Sequence, residues 1–399
     1  MVGIKKKKKL ILFLSGTLFI VCVIALTVTP ETRVGVRSGR NYKVTFRNSH
    51  FREKPLKTIL LWTPMFNHPT VDSYRKCLST CEAKCVVTDD KTQIENADGV
   101  EFHLSDIWSQ FWKIGTKSII EFPKYRRPDQ VWILANMEPP PHLWGNIRIF
   151  NGLFNWTRWY KSDADIHWPY GGVYIYNKSE QIEAEKELKG RNYFKEKSRE
   201  MILRIGNCFD AGQRYRIINK LDRYFNIDKY GKCYNKVCGV NTDPGDESCS
   251  NLMKQYKFYL AFENDYCTDY VTEKYWLTLR RNQIPVVNWK TVDPRLVIPS
   301  SYINIFDFDS IEQLAHYLKL VSSNETLYNS YFDYKKFYTN RQSTCQACSV
   351  CQALHDKDRP AQVYTDLEGW VKDDSCKLVG LFDNFMKNFY GWRFILLGF

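Results

Sequence analysis

The stretch FYLAFENDYCTDYVTEKYW, residues 258–276, has the pattern of a buried strand, a polar loop and the start of a helix. The helix is predicted to begin near Tyr270, which places Thr272, Glu273 and Lys274 in its first turn. Backbone N–H groups and the helix dipole at such an N-terminus attract phosphate. Because the same dipole disfavours a lysine, Lys274 suits a position facing an anion, and a solvated first-turn lysine is the alternative.

Short apolar runs elsewhere in the chain have the same character as this strand. They lie at residues 58–62, 84–87, 130–135, 257–262, 284–287 and 302–306, and they lack strict polar alternation, as parallel strands covered on both faces do. Helical spacing occurs at residues 270–282 and 310–321. The alternation of strands and helices predicts doubly wound α/β layers. A charged segment at residues 177–199 is a plausible boundary between two such groups.

A second acidic residue also follows a predicted strand. Glu138 comes after the run at 130–135, just as Glu263 comes after the run at 257–262. Glu138 is followed directly by Pro139-Pro140-Pro141. Ligands bind outside the carboxyl ends of parallel strands. A carboxylate next to three prolines has little backbone freedom, which suits a general base for one hydroxyl. The alternative is a turn in which the carboxylate bonds nearby backbone amides.

Composition and charge limit the class of protein. Of 399 residues 44% are hydrophobic and 25% are charged, which excludes a disordered chain and predicts one or two globular domains. The formal net charge is +13, of which five charges come from the run Lys5 to Lys9. The remaining basic residues are spread too thinly to indicate nucleic acid, but they favour an anionic ligand.

Residues 10–28 form an uncharged stretch of 19 residues, long enough to span a bilayer as a helix. The lysines before it predict that residues 1–9 stay in the cytoplasm. A cleaved signal peptide is the alternative, but the stretch is longer than usual and has no small-residue cleavage site before Pro30. We therefore expect a transmembrane signal anchor, a polar stem at residues 29–55 and a body in a lumen or outside the cell.

The cysteine content agrees with that compartment. Of 13 cysteines Cys22 lies in the predicted anchor, and the remaining even number predicts structural disulfides. The spacing Cys345-x-x-Cys348-x-x-Cys351 also resembles a zinc fragment, but no second pair completes four ligands. Three sequons, at Asn155, Asn177 and Asn324, are candidate N-glycosylation sites.

The stretch at 258–276 resembles the signature FYLxFENS…DYxTEKxW of the α1,3/4-fucosyltransferases, family 10 of the glycosyltransferases. Further blocks resemble this family in the same order, and together they cover residues 57–371. These blocks are 136–142 (NMEPPPH), 154–171 (FNWT to DADI to PYG), 207–233 (with Arg214, Tyr230 and Gly231) and 348–353 (CSVCQA). Asn155 lies inside one block, so its sequon is a candidate to be buried and unused.

The resemblance implies a GT-B fold of two Rossmann-like domains. An acceptor-side domain is expected at residues 56–190, a GDP-fucose-binding domain at 191–371 and a C-terminal extension at 372–399. The implied activity is inverting transfer of L-fucose from GDP-fucose to the 3-hydroxyl of GlcNAc in glycoprotein glycans, in the N-glycan core or the antennae. The implied location is the Golgi membrane, as a single-pass type II protein with its catalytic domain in the lumen.

The resemblance also assigns roles to individual residues. Glu138 matches the base, and Arg214 and Lys274 match the basic residues that hold the pyrophosphate. Glu273 matches the residue that bonds the ribose hydroxyls. Other donor-binding positions are matched by Asn264 and Tyr270. No cofactor is expected, because preorganised cations can stabilise the leaving group in place of a metal. Stimulation by Mn²⁺ is compatible with this mechanism, and an absolute requirement is not.

Departures from the family pattern keep two other functions open. Pro139 and Pro141 replace two serines beside the base, Asp265 replaces a serine of the donor loop, and Cys267 lies in a normally polar loop. These changes motivate an inactive, membrane-anchored glycan-binding protein on the same fold. The motifs Asp163-Ala-Asp165 and Asp307-Phe-Asp309 resemble the D-x-D of metal-dependent GT-A transferases, although the short motif is common by chance.

Overall fold

The computed structural model describes residues 45–46, 56–111, 122–143, 147–208, 214–238, 247–290, 292–340, 345, 347–372 and 376. The predicted cytoplasmic tail and anchor and nearly all of the stem lie outside these residues, as does most of the C-terminal extension. No helix within the described ranges is both long and apolar enough to cross a bilayer. The described residues from Phe46 onward belong to one compact unit.

The described chain contains short strands and helices in alternation. The strands are β1 (Thr45–Phe46), β2 (Lys57–Leu61), β3 (Cys85–Thr88), β4 (Gly99–His103), β5 (Tyr125–Arg126), β6 (Val131–Ala135), β7 (Trp156–Trp159), β8 (Ile166–His167), β9 (Val173–Ile175), β10 (Arg199–Arg204), β11 (Ile227–Tyr230), β12 (Tyr256–Leu260), β13 (Ile284–Val287), β14 (Ile303–Asn304) and β15 (Tyr338–Asn340). The helices are α1 (Val71–Leu78), α2 (Leu104–Phe111), α3 (Lys178–Leu188), α4 (Arg214–Leu221), α5 (Glu247–Met253), α6 (Glu273–Arg280), α7 (Ile311–Ser323), α8 (Glu325–Ser330), α9 (Ala347–His355) and α10 (Leu367–Val371).

Two parallel sheets form the body of the protein. The first has the strand order β3-β2-β4-β6-β7-β8 and the second the order β11-β10-β12-β13-β14, and every pair within them is parallel. The strands are largely buried on both faces, with β4 and β12 buried at every residue. The predicted α/β fold with parallel sheets is therefore confirmed.

Two connections join the part of the chain that holds the first sheet to the part that holds the second. Strand β15 pairs antiparallel with β9, with Tyr338 opposite Ile175. After β15 the chain returns to the first sheet, where α9 packs on α1 and β2. The boundaries predicted at residues 190 and 371 stay predictions.

All twelve cysteines after the predicted anchor are paired in disulfides. The bonds are Cys77–Cys345, Cys81–Cys348, Cys85–Cys351, Cys208–Cys233, Cys238–Cys249 and Cys267–Cys376. The first three join residues 77–85, from the end of α1 to the start of β3, with residues 345–351, around the beginning of α9. The bonded cysteines are 266–268 residues apart in the sequence. The three cysteines of the zinc-like spacing thus bond to cysteines on another element, and the expectation of structural disulfides is confirmed.

The helix predicted over residues 270–282 is shorter, and its predicted start is wrong. Helix α6 runs from Glu273 to Arg280, with Thr272 as its extended N-cap residue. Asp269 and Asn282 adopt left-handed conformations (φ 60° and 52°), which do not occur within an α-helix. The Thr272 hydroxyl accepts a hydrogen bond from the Lys274 N–H, and this cap sets the first turn.

Gly171 follows β8, the last strand of the first sheet along the chain, and packs directly against α6. A Cβ atom at this position would lie 2.5 Å from the ring of Trp276, a buried residue of the helix. Only a residue without a side chain permits this approach between the two parts of the chain.

Replacement of Gly171 by alanine is expected to lower the free energy of unfolding by about 1–3 kcal/mol, because the added methyl group overpacks the contact with Trp276. Chemical denaturation monitored by tryptophan fluorescence measures this change. Gly206→Ala is the matched control, since no atom lies within 4 Å of its added Cβ. Equal stability of the two variants would contradict the assigned packing.

Candidate active site

Glu138 lies beyond the carboxyl end of β6, in a loop that is held at several points. Its carbonyl oxygen accepts hydrogen bonds from the Asn136 side-chain amide (2.7 Å) and from the Trp159 indole N–H (3.1 Å). Pro140 begins a 3₁₀ turn that ends at His142. The Glu138 side chain is 30% exposed, so a carboxylate on a rigid loop remains accessible to a reacting hydroxyl.

His142 connects this loop to the one that follows β12. Its Nε2 atom lies 2.9 Å from the Asp265 carboxylate, and its Nδ1 atom lies 3.4 Å from the Asn264 amide nitrogen. The same Nδ1 atom is 3.6 Å from the Glu138 carboxylate. These contacts bring the predicted base and the predicted donor loop together at the facing edges of the two sheets.

Three tyrosines close the interior side of this junction. Tyr270 packs against Tyr160 in a tilted arrangement and against Tyr170 edge to face, with ring centroids 4.8 and 6.0 Å away. The Tyr170 hydroxyl donates to the Met137 carbonyl oxygen (2.7 Å), which adjoins Glu138. Burial raises the pKa of Tyr270 well above its ordinary value, and the nearby Tyr170 and the Glu138 carboxylate add to the effect. Tyr270 is therefore a buried, neutral wall of the site.

Glu263 and Lys274 form a charged pair at the start of α6. Glu263 is fully buried, and its carboxylate accepts hydrogen bonds from the Thr272 N–H and hydroxyl (2.8 Å each) and from the Lys274 ammonium (3.0 Å). The ammonium also lies 2.8 Å from the Thr272 hydroxyl oxygen and 3.4 Å from the Glu273 carboxylate. Lys274 is thus positioned by side chains on both sides of the loop.

The opposite charges of Lys274 and its two neighbouring carboxylates stabilise the ionised form of Lys274 and of Glu273. Burial opposes the charge on Lys274, but the carboxylates of Glu263 and Glu273 outweigh it and raise the pKa of the ammonium above its ordinary value. Burial likewise opposes ionisation of Glu273, but the Lys274 charge and local hydrogen bonds lower the pKa of this carboxyl. Lys274 and Glu273 both remain charged near neutral pH.

Arg214 lies close to this cluster. It is the first residue of α4, it is buried, and its guanidinium donates to the carbonyl oxygen of Asn207, in the loop that follows β10. Its positive charge acts on Lys274 and works to lower the pKa of that ammonium. The structure therefore has two cations on different elements that follow strands of the second sheet, Arg214 on α4 and Lys274 on α6.

The two D-x-D motifs are placed differently. Asp165 accepts hydrogen bonds from the Thr157 N–H (2.8 Å) and the Tyr364 hydroxyl (2.7 Å), and its second oxygen accepts from Gln362, so it serves the fold. Asp307 and Asp309 are exposed. Within the described part of the chain, the groups of three side chains spaced to hold a metal ion are built around cysteines, and those cysteines are in disulfides.

The three sequon asparagines differ in accessibility. Asn155 is partly buried, its side-chain oxygen accepts from the Trp132 N–H (2.8 Å), and its amide donates to the Gln362 carbonyl oxygen (2.8 Å). Asn177 and Asn324 are exposed and cap helices α3 and α8. Glycosylation of all three stays a prediction, with the exposed pair the more accessible.

Two protein-family models together match most of the chain. Residues 54–171 match "Fucosyltransferase, N-terminal", and residues 194–370 match "Glycosyltransferase family 10 (fucosyltransferase) C-term". The chain is 30% identical to alpha-(1,3)-fucosyltransferase C of Drosophila melanogaster in an alignment of 349 residues, and the match covers 81% of this chain and 79% of that protein. The chain belongs to glycosyltransferase family 10. This confirms the resemblance found in the sequence, and the protein is a glycosyltransferase.

Further relatives span similar lengths. Alpha-(1,3)-fucosyltransferase fut-5 of Caenorhabditis elegans is 28% identical, covering 85% of this chain and 91% of that protein. Alpha-(1,3)-fucosyltransferase 7 of Rattus norvegicus is 29% identical, covering 80% of each. A crystal structure of an alpha1,3-fucosyltransferase with GDP-fucose is 14% identical with a TM-score of 0.49, covering 80% of this chain and 96% of that chain.

Two residues of this glycosyltransferase site received no role from the sequence. Glu263 was recognisable as an acid at a strand end, but its partners Thr272 and Lys274 lie nine and eleven positions later, beyond local patterns. His142 lies inside a family block, but its contact with Asp265 joins positions 123 residues apart. No local spacing predicts such a pair.

Replacement of Glu263 by glutamine is expected to lower the free energy of unfolding by roughly 3 kcal/mol, because it leaves the Lys274 ammonium without its buried partner. Glu273→Gln is the matched control, and since its side chain is about half exposed we expect a loss below about 1 kcal/mol. Urea denaturation measures both. The double variant Glu263→Gln/Lys274→Met is expected to recover much of the loss, and simple additivity of the two single effects would contradict the pairing.

Proposed function

We propose that this family 10 glycosyltransferase transfers L-fucose from GDP-fucose to the 3-hydroxyl of GlcNAc in glycoprotein glycans, with inversion at the anomeric carbon. The observation that supports the proposal most is the junction between the two sheets. There a partly exposed carboxylate, Glu138, lies in the same site as two buried or half-buried cations, Arg214 and Lys274. The relatives named as α1,3-fucosyltransferases support the choice of sugar and linkage.

The donor half of the site suits a nucleoside diphosphate. Arg214 and Lys274 supply positive charge beside the first turn of α6, where backbone N–H groups and the helix dipole also favour phosphate. In the proposed complex these cations hold the pyrophosphate and stabilise the charge that develops on departing GDP. Glu273 would bond the ribose hydroxyls, and Asn264 and Tyr270 would line the donor loop.

The acceptor half suits a single displacement. The Glu138 carboxylate would take the proton of the attacking 3-hydroxyl while that oxygen bonds to the anomeric carbon of fucose. The bond from that carbon to the β-phosphate oxygen breaks on the opposite face, so the configuration inverts. One base and a stabilised leaving group are sufficient for this reaction, and no cofactor takes part in the proposed steps.

The proposed location is the Golgi lumen, with the N-terminal stretch as a type II anchor. Twelve cysteines joined in six disulfides are characteristic of proteins that fold in an oxidising compartment. The uncharged stretch at residues 10–28, preceded by five lysines, supports the anchor and its orientation.

Glu138→Gln is expected to retain affinity for GDP-fucose and to lose transfer by roughly 10²–10⁴-fold, because the amide cannot take up the acceptor proton. The full chain in detergent is incubated with GDP-fucose, EDTA and a panel of core and antennal N-glycans. Mass spectrometry then detects the gain of one deoxyhexose. Asp163→Asn, a change at an exposed carboxylate, is the control and is expected to retain wild-type transfer.

Each outcome of this assay has a defined meaning. Product from the wild type in EDTA that fails with Glu138→Gln supports the proposal and identifies the acceptor class. Normal turnover of Glu138→Gln would remove this residue as the base. Wild-type activity that EDTA abolishes would favour the metal-dependent alternative, and glycan binding without any product would favour the inactive glycan-binding protein.

A further inference from the structure

Asp265 and His142 form a pair that the reaction steps above do not use. Their side chains are only 6% and 8% exposed, and the carboxylate lies 2.9 Å from Nε2 of the imidazole. One partner follows β12 of the second sheet, and the other ends the 3₁₀ turn after β6 of the first. The pair therefore spans the junction at which the proposed base and the proposed donor site meet.

Burial makes this pair costly unless it has a specific use. A carboxylate removed from water loses hydration, and apolar residues of similar size often stabilise a contact as well or better. The packing of Tyr160 on Tyr270 and of Gly171 on Trp276 already holds the two parts of the chain together.

The orientation of His142 relates Asp265 to the base. The His142 imidazole lies between two carboxylates, and these neighbours limit its position on both sides. Here the second nitrogen, Nδ1, lies 3.6 Å from the Glu138 carboxylate and 3.4 Å from the Asn264 amide. Pro139, Pro140 and Pro141 separate Glu138 from His142, so the backbone between them has little freedom.

We propose that Asp265 and His142 are positioning residues for Glu138. Asp265 keeps the imidazole in place between the two loops, and the imidazole beside the Glu138 carboxylate limits the directions that this carboxylate can take. The inference rests on the proposed role of Glu138 as the base. It explains how a base carried by the first sheet keeps its position relative to a donor bound at the second.

The proposal predicts a selective loss of turnover. His142→Ala and Asp265→Ala are each expected to lower kcat roughly ten- to a hundredfold, since small displacements of a reacting group have effects of this size. Neither change removes a proposed phosphate contact, so affinity for GDP is expected to stay within about twofold. Each change leaves one buried group without its neighbour, so we expect the unfolding temperature to fall while GDP affinity does not. Asp265→Asn keeps the size of the side chain and a polar oxygen beside His142, and it is expected to recover part of the lost kcat.

The decisive test is a double-mutant cycle on the full chain with GDP-fucose and the acceptor found above. If Asp265 acts through His142, the double alanine variant loses no more kcat than His142→Ala alone. Multiplied losses, wild-type kcat in either single variant, or equal falls in kcat, GDP affinity and unfolding temperature would overturn the proposal. Asp163→Ala controls for loss of an exposed carboxylate. Normal turnover of Glu138→Gln would instead refute the proposed base, and the two failures are distinguishable.

Discussion

The buried carboxylate of Glu263 fixes the arrangement on which the donor half of the site depends. It lies at the end of β12, it accepts both the N–H and the hydroxyl of Thr272, and it binds the Lys274 ammonium. One side chain thus determines where the loop turns, where α6 begins and where a cation is held. An apolar residue at this place would leave the buried Thr272 N–H without its acceptor and would remove the buried carboxylate partner of the Lys274 ammonium, and the interior tolerates such losses poorly.

The acceptor half reaches this cluster through close packing and one polar contact. Gly171 permits the approach of α6, Tyr160 and Tyr170 pack around Tyr270, and His142 meets the loop that carries Asp265. The two parallel sheets present their carboxyl edges to this junction, where ligands of such sheets bind. A base on one loop and two cations on others can therefore act on a single substrate pair.

The sequence predicts six strands of the two sheets, such as β12, because burial on both faces leaves continuous apolar runs in them. It does not predict β4, β7, β8, β10 and β11, because charged or polar residues interrupt their apolar runs. It places the start of α6 three residues too early, because the left-handed Asp269 and the cap at Thr272 depend on bonds to Glu263 and Asp293. An even cysteine count predicts disulfides but not partners, since pairing such as Cys77–Cys345 is set by the fold. Long-range contacts such as that of His142 with Asp265 depend on the fold in the same way.

The most direct test of the central claim compares the affinities of GDP and GMP by titration calorimetry on the full chain. If Arg214 and Lys274 hold a pyrophosphate, the wild type binds GDP more tightly than GMP. In Arg214→Ala and Lys274→Ala that preference shrinks by roughly tenfold or more, as expected for the loss of a charge-assisted bond. An unchanged preference for GDP in both variants would contradict the account.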